Sequence, residues 1–99
     1  MPVHPRSAVP LASALHDSET LARLAERLKE SRRRFTSIEA VLPPSLATQA
    51  KPGPLDEHGW TVLALTAGAA AKLRQLVPVI EARLADQGFA RLTTRVRVR

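Results

Sequence analysis

The chain has 99 residues and a formal net charge of +6, and it is 44% hydrophobic but only 3% aromatic. This length is typical of a single domain, and so few aromatic residues imply a core of aliphatic side chains. Because the chain contains no cysteine, disulfides and thiolate metal sites are excluded. No apolar run approaches the roughly 20 residues of a membrane-spanning helix. We therefore expect a cytoplasmic protein whose basic balance reflects the chemistry of a partner.

The N-terminal segment, residues 1–17, contains three prolines and shows no sustained hydrophobic period. We predict that it is a flexible tail and that residues 18–99 form one domain. Ser18 is a suitable N-cap for a first helix. Pro43 and Pro44 end that helix, because proline cannot continue its hydrogen-bond ladder.

This first helix is predicted to be amphipathic, because its apolar residues recur at alternating steps of three and four. They are Leu21, Leu24, Leu28, Phe35, Ile38 and Leu42. Ser31 occupies the same seam, and a break near Ser31–Arg34 is compatible with the pattern. Such a seam suits packing on a sheet, and it also suits a coiled-coil dimer.

Two strands are predicted next. Prolines confine any strand within residues 49–55 to a sheet edge. Residues 60–66 (WTVLALT) are apolar at both alternating positions, which indicates a central strand. Between them, Asp56, Glu57 and His58 are three consecutive possible metal ligands without a second cluster. We interpret this segment as a solvated turn and expect no metal.

A second helix is predicted to begin near Gly68 and to end at Gly88, a natural C-cap. Pro78 lies inside it and should kink it. One glycine without a following Lys-Ser or Lys-Thr pair is a poor phosphate loop, so we interpret Gly68 as part of a turn. The free backbone amides after Gly68 leave a single phosphate contact, with Lys72 nearby, as the alternative.

The last segment, RLTTRVRVR, alternates in a way that predicts a strand with one buried face. The face assigned to the core consists of Leu92, Thr94, Val96 and Val98. The opposite face consists of Arg91, Thr93, Arg95, Arg97 and Arg99. Four arginines and no acid lie in residues 88–99. Such a ladder can bind nucleic acid, protect a sheet edge and maintain solubility, or bind an acidic protein.

The predicted order of helix, strand, strand, helix, strand indicates an α+β domain in which a small sheet packs in two layers against helices. From Phe35 to Leu84 the chain reads FTSIEAVLPPSLATQAKPGPLDEHGWTVLALTAGAAAKLRQLVPVIEARL. This stretch, with the final Val/Arg strand, resembles the bacterial DciA family over roughly residues 20–99. The resemblance implies a KH-like domain that binds DNA and helps to load or regulate the replicative helicase.

No enzymatic site is predicted, because there is no cysteine, no recognisable nucleophilic serine and no nucleotide-binding loop. We therefore expect a protein without catalytic activity, cofactor or small-molecule substrate. A Gly-x-x-Gly clamp is also missing, and so few aromatics make base stacking poor. Binding should be led by phosphate contacts, with little sequence readout. The Arg32–Arg34 run is compatible with phosphate contact and with an ordinary solvated helix face.

The basic residues that we expect to contact nucleic acid lie on several predicted elements. They are Arg91, Arg95, Arg97 and Arg99 in the last strand, Lys72 and Arg74 in the second helix, Arg33 and Arg34 in the first helix, and Lys51. The leading hypothesis is a DNA-binding, nucleoid-associated accessory of the replicative helicase. Two alternatives are an RNA- or ribosome-associated KH-like protein and a protein-interaction module that binds no nucleic acid.

Overall fold

A computed structural model describes the backbone of residues 10–99 and the side chains of residues 17–99. These residues form a small α+β domain, as predicted, in which helices accompany a three-stranded mixed sheet. In chain order the elements are α1 (Pro10–Glu39), α2 (Pro44–Ala47), β1 (Ala50–Asp56), β2 (Gly59–Ala64), α3 (Ala67–Gln75), α4 (Val77–Asp86) and β3 (Thr94–Val98).

The first helix is longer than predicted. It spans Pro10–Glu39 and so includes residues before the predicted start at Ser18. The helix also continues through Ser31–Arg34, so the break considered there does not occur. Residues 1–9 of the predicted tail lie outside the described residues.

The sheet has the strand order β1-β2-β3, so β2 is central and β1 is an edge strand, as predicted. β1 and β2 are antiparallel and are joined by a short turn, in which the Asp56 side chain accepts a hydrogen bond from the His58 backbone N–H at 2.8 Å. β2 and β3 are parallel. Parallel neighbours need a crossover connection, and α3 and α4 supply it.

The predicted second helix is interrupted rather than kinked. α3 ends and α4 begins at Leu76, whose backbone has φ −94° and ψ 0°. Pro78 explains the interruption, because it has no N–H to donate to the carbonyl of Arg74 and its ring crowds that turn. α4 then ends as predicted before Gly88, whose φ of 84° is the left-handed conformation that closes many helices.

The core lies between the helices and one face of the sheet. From β2 it takes Trp60, Val62 and Ala64, and from β3 it takes Val96. The strand β3 is shorter than predicted, since it begins at Thr94 and not at Arg91. The prediction that Val98 is buried is wrong: its side chain is 48% exposed. It is the last residue of an edge strand and therefore has a neighbouring strand on one side only.

Among the residues of α1 whose side chains are described, those in its C-terminal part pack on the body of the domain. Phe35 and Ile38 are buried, whereas all side chains from Asp17 to Lys29 are exposed. The 30-residue helix is about 45 Å long at 1.5 Å per residue, which explains much of the 59 × 29 × 20 Å outline. Within residues 10–99, no helix combines the length and the apolar character needed to cross a membrane.

Candidate nucleic-acid interface

The face of the sheet opposite the core carries a cluster of basic residues. Trp60, Val62 and Ala64 point into the core, so the alternate residues of β2 point to the other face. Leu63 of β2 is paired with Lys51 of β1 on one side and with Arg97 of β3 on the other. Because paired residues share a face, one row across the sheet reads Lys51, Leu63, Arg97.

A second row begins with Thr61, which is paired with Arg95. The backbone N–H of Arg99 donates to the carbonyl of Ala64 at 2.9 Å and keeps the chain beside β2 one residue past the end of β3. By alternation Arg99 then follows Arg95 and Arg97 on the same side, with about 6.6 Å between successive arginines. We call the set Lys51, Arg95, Arg97 and Arg99 the basic face.

The basic face carries uncompensated charge. Among residues 17–99, none of its four side chains forms an ion pair. Lys51, Arg97 and Arg99 are exposed and Arg95 is half-buried. Like charges that project side by side repel, and a polyanion lying across the sheet would remove that cost. The arrangement can therefore hold a chain of phosphates without reading a particular base.

Arg74, also a predicted contact residue, has a structural partner. Its guanidinium donates to the carbonyl of Val96 at 3.2 Å, while Glu81 accepts from the backbone N–H of Thr94 at 2.8 Å. Both bonded groups belong to the edge strand β3. Side chains of α3 and α4 therefore occupy part of the hydrogen-bonding edge that another strand would otherwise use.

Arg34 is the clearest correction to the predicted interface. Its side chain is 2% exposed and pairs with Glu30 at 3.0 Å. It also donates to the carbonyl of Ala90 at 3.1 Å and lies over the ring of Phe89, with 5.2 Å from its guanidinium carbon to the ring centroid. Arg34 thus joins α1 to the segment before β3, and it is not part of an exposed surface. The run Arg32–Arg34 does not show in the sequence which arginine is buried, because three consecutive helical residues point in different directions.

Arg33 shares the neighbourhood of Arg34 but remains accessible. It pairs with Glu30 at 3.2 Å and lies 5.4 Å from the Phe89 centroid, with its side chain 63% exposed. Arg91, which belongs to the irregular segment before β3, is exposed and lines a pocket of about 440 Å³ with Arg34 and Phe89. The structure therefore places these three arginines around Phe89, and none of them in the row formed by Lys51 and Arg97.

Lys72 and Gly68 belong to a third location. Thr66 caps α3 by accepting a hydrogen bond from the Ala69 N–H at 3.0 Å, so Gly68 lies in the first turn of the helix. Lys72 is exposed and lines a groove of about 390 Å³ with Thr66 and Gly68. Of the nine predicted contact residues, four therefore share the basic face and the others do not.

The sequence analysis did not identify Leu63, which lies on the same side of the sheet as the basic face. Leu63 is the half-buried apolar centre of the row between Lys51 and Arg97. The alternation within WTVLALT could have identified it as facing away from Trp60 and Val62. What it could not supply was the strand register, which decides the residues beside Leu63.

Asp56, Glu57 and His58 lie in and beside the exposed turn between β1 and β2. Within the part of the chain whose side chains are described, no group of three or more His, Cys, Asp or Glu residues could hold a metal ion. His58 is 3.7 Å from Glu57, and both side chains are largely exposed. The interpretation of this segment as a solvated turn agrees with these contacts.

Comparison with known proteins gives no relative: no family model matches the chain, and no curated protein is significantly similar to it.

Proposed function

We propose that this protein is a non-enzymatic DNA-binding accessory of a bacterial replicative helicase. The observation that carries the DNA-binding part is the basic face, where Lys51 and Arg97 lie in one row and Arg95 and Arg99 extend it, all without acidic partners among residues 17–99. The helicase enters the proposal through the resemblance to the DciA family. A KH-like arrangement is proposed on the same ground, with the pairing of β1, β2 and β3 compatible with it.

The proposed binding mode is led by phosphate contacts. Proteins that grip single strands commonly stack bases on exposed aromatic rings. Here Trp60 and Phe35 are buried in the core, and Phe89 is half-buried beneath Arg33 and Arg34. Since the chain has only these three aromatic residues, stacking platforms are lacking. Guanidinium and ammonium groups would contact phosphates instead, and the affinity would depend strongly on salt.

The spacing of the glycines also favours binding through phosphate contacts from side chains. A KH domain clamps the nucleic-acid backbone with a Gly-x-x-Gly loop, and the glycines here, at positions 53, 59, 68 and 88, never have that spacing. Contacts from side chains of the sheet would therefore replace contacts from a glycine loop. The basic face lies on paired strands, whose backbone holds the charges at defined distances.

The experiment that tests the DNA-binding proposal compares three labelled probes of equal length: single-stranded DNA, duplex DNA and structured RNA. Dissociation constants are measured by fluorescence anisotropy at several salt concentrations. We expect DNA binding with a slope of log K against log salt of about −2 to −4, which corresponds to roughly 3–5 phosphates. Tighter binding to RNA would favour the RNA-associated alternative, and no salt-dependent binding to any probe would exclude a nucleic-acid function.

The helicase part needs its own experiment. The protein is mixed with the replicative helicase of the same bacterium and analysed by size-exclusion chromatography and calorimetry at tens of micromolar. We expect a complex, faster loading of the helicase onto DNA, and no ATPase activity from this chain alone. If no complex forms, the helicase role is excluded while DNA binding by the basic face is unaffected.

A further inference from the structure

The exposed half of α1 carries an apolar stripe that no described side chain of residues 17–99 buries. Leu21, Leu24 and Leu28 are 65%, 49% and 57% exposed, and we call them the leucine stripe. An isolated protein gains nothing from placing three leucines on one side of an exposed helix. The stripe continues into an open groove of about 690 Å³ between α1 and β1.

The groove has an apolar floor and a basic rim. Its floor consists of Leu24, Leu28, Pro52, Leu55 and Leu63. Its charged lining consists of Arg27, Arg32, Lys51 and one acid, Asp56. A helix with an apolar face and acidic residues beside it would complement such a groove in shape and in charge.

The chain itself contains a helix of this kind in the exposed half of α1. Asp17 lies four residues before Leu21 and Arg32 lies four residues after Leu28, so both are on the same side of the helix as the leucines. Glu19 and Arg33 point elsewhere and are paired with Arg23 and Glu30. The side of α1 that carries the leucine stripe is therefore acidic at one end and basic at the other. Two copies placed antiparallel bring opposite charges together, whereas two parallel copies oppose like charges.

We propose that the leucine stripe and its groove bind the same stripe of a second copy, so that two chains dimerise through antiparallel α1 helices. Asp17 of one copy then lies near Arg32 of the other. The leucines of both copies meet near the middle of residues 17–33. This overlap is about 25 Å long at 1.5 Å per residue.

The interface is small. It contains three leucines from each helix and the apolar floor of the groove, and interfaces at the low end of the size range are usually reversible. We expect a dissociation constant on the order of 10 μM. The dimer should therefore appear as a concentration-dependent equilibrium, and it should need the helix beyond the body of the domain.

The first test measures self-association of the full chain by analytical ultracentrifugation from about 1 to 200 μM. We expect a shift from monomer to dimer in this range. The double substitution Leu24→Glu with Leu28→Glu should weaken association by at least about tenfold. The matched control is Val79→Glu on α4, a similarly exposed apolar residue outside the stripe (44%), which should leave association unchanged.

The second test determines the orientation of the helices. Asp17→Lys should weaken an antiparallel dimer, because a basic residue then meets Arg32 of the other copy, whereas a parallel dimer would exchange one like-charge contact for another. The native chain has no cysteine, so Ser18→Cys and Arg32→Cys proteins can each carry a single thiol. With a short bismaleimide crosslinker, we expect mixed Ser18→Cys and Arg32→Cys dimers and little crosslinking of Ser18→Cys to itself.

Three results would overturn the proposal. If the chain stays monomeric throughout the concentration range, the stripe does not bind a second copy and would instead fit a helix of another protein. A dimer that survives both glutamate substitutions, with circular dichroism showing an intact fold, must use another surface. Efficient crosslinking of Ser18→Cys to itself would show that the helices are parallel.

Discussion

Ser31 and Trp60 are joined by a 2.9 Å hydrogen bond, in which the indole Nε1–H donates to the serine hydroxyl. The same hydroxyl donates to the carbonyl of Gly53 at 2.7 Å. Ser31 therefore links α1 to β1 and to the central strand β2 through one buried oxygen. This explains why a serine interrupts the apolar seam: a leucine at this position would leave the buried indole N–H and the Gly53 carbonyl without their partner.

The first prediction concerns this link. Ser31→Ala should lower the free energy of unfolding by about 1–3 kcal/mol, because it leaves the buried Trp60 N–H without its acceptor. Thermal or urea unfolding followed by tryptophan fluorescence measures the effect and also reports the environment of Trp60. Ser18→Ala, at an exposed position of the same helix, is the control and should change stability by no more than about 0.5 kcal/mol. Equal effects of the two substitutions would contradict this account.

The second prediction separates two neighbouring arginines. Arg34→Ala should destabilise the domain by about 1–3 kcal/mol, because it removes the bonds to Glu30 and Ala90 from a buried site. Arg33→Ala should cost less than about 1 kcal/mol, since surface ion pairs contribute little. Urea denaturation of both variants provides the measurement. Reversed effects would mean that Arg34 does not join α1 to the segment before β3.

The third prediction tests the basic face. Replacing Arg95, Arg97 and Arg99 with alanine should leave the fold intact, because none of these side chains belongs to the core. It should weaken DNA binding at low salt by about tenfold or more and reduce the magnitude of the salt slope by about 2 or more. Anisotropy titrations over a salt series provide both quantities.

Two comparisons make the third prediction specific. Val96→Asp should instead unfold the domain, because it places a charge in the core between two of these arginines. Arg33→Ala removes an exposed arginine outside the basic face and should leave the salt slope changed by less than about 1. If the triple variant binds DNA like the parent, the basic face is not the binding surface, and Lys72 and Arg33 become the next candidates.

The fourth prediction compares two glycines. A Cβ at Gly53 would lie 2.7 Å from the carbonyl oxygen of Thr61 and 2.9 Å from Leu63 Cγ. Gly53→Ala should therefore destabilise the domain by about 1–3 kcal/mol, since backbone must move. At Gly68 the nearest atom, Thr66 Oγ1, would be 3.9 Å away, so Gly68→Ala should be neutral or stabilising by up to about 1 kcal/mol.

The Gly68→Ala variant also tests whether the first turn of α3 contacts DNA. If Gly68 serves only the turn into the helix, Gly68→Ala should bind DNA as tightly as the parent protein in an anisotropy titration. A loss of affinity of about tenfold without loss of stability, equivalent to about 1.4 kcal/mol, would mean that a phosphate approaches the backbone there. Lys72, which lines the same groove, would then belong to the interface.

Local patterns in the sequence determined most of the secondary-structure elements of this protein. The alternation in the last strand, the two-sided apolar run of β2 and the prolines of β1 and α4 predicted the elements, because side-chain period and backbone chemistry act over a few residues. They also predicted that Arg95 and Arg97 project away from Val96. Element ends were less accurate, as at Ser18 and Thr94, since several residues near each end satisfy the same local rules.

Only the tertiary structure decided which of these residues meet. Arg33 and Arg34 carry the same charge but differ in burial. Phe89 and Ala90, which are distant in sequence, lie against one side of α1 and cover Arg34. The row of Lys51, Leu63 and Arg97 exists only through the register of two strand pairs, one antiparallel and one parallel. Apolar residues recur along the seam of α1 on both sides of Ser31, yet Ile38 is buried and Leu24 is exposed, because the sheet is too short to cover the whole helix. Contacts between segments depend on how far each element extends in space, which no local period encodes.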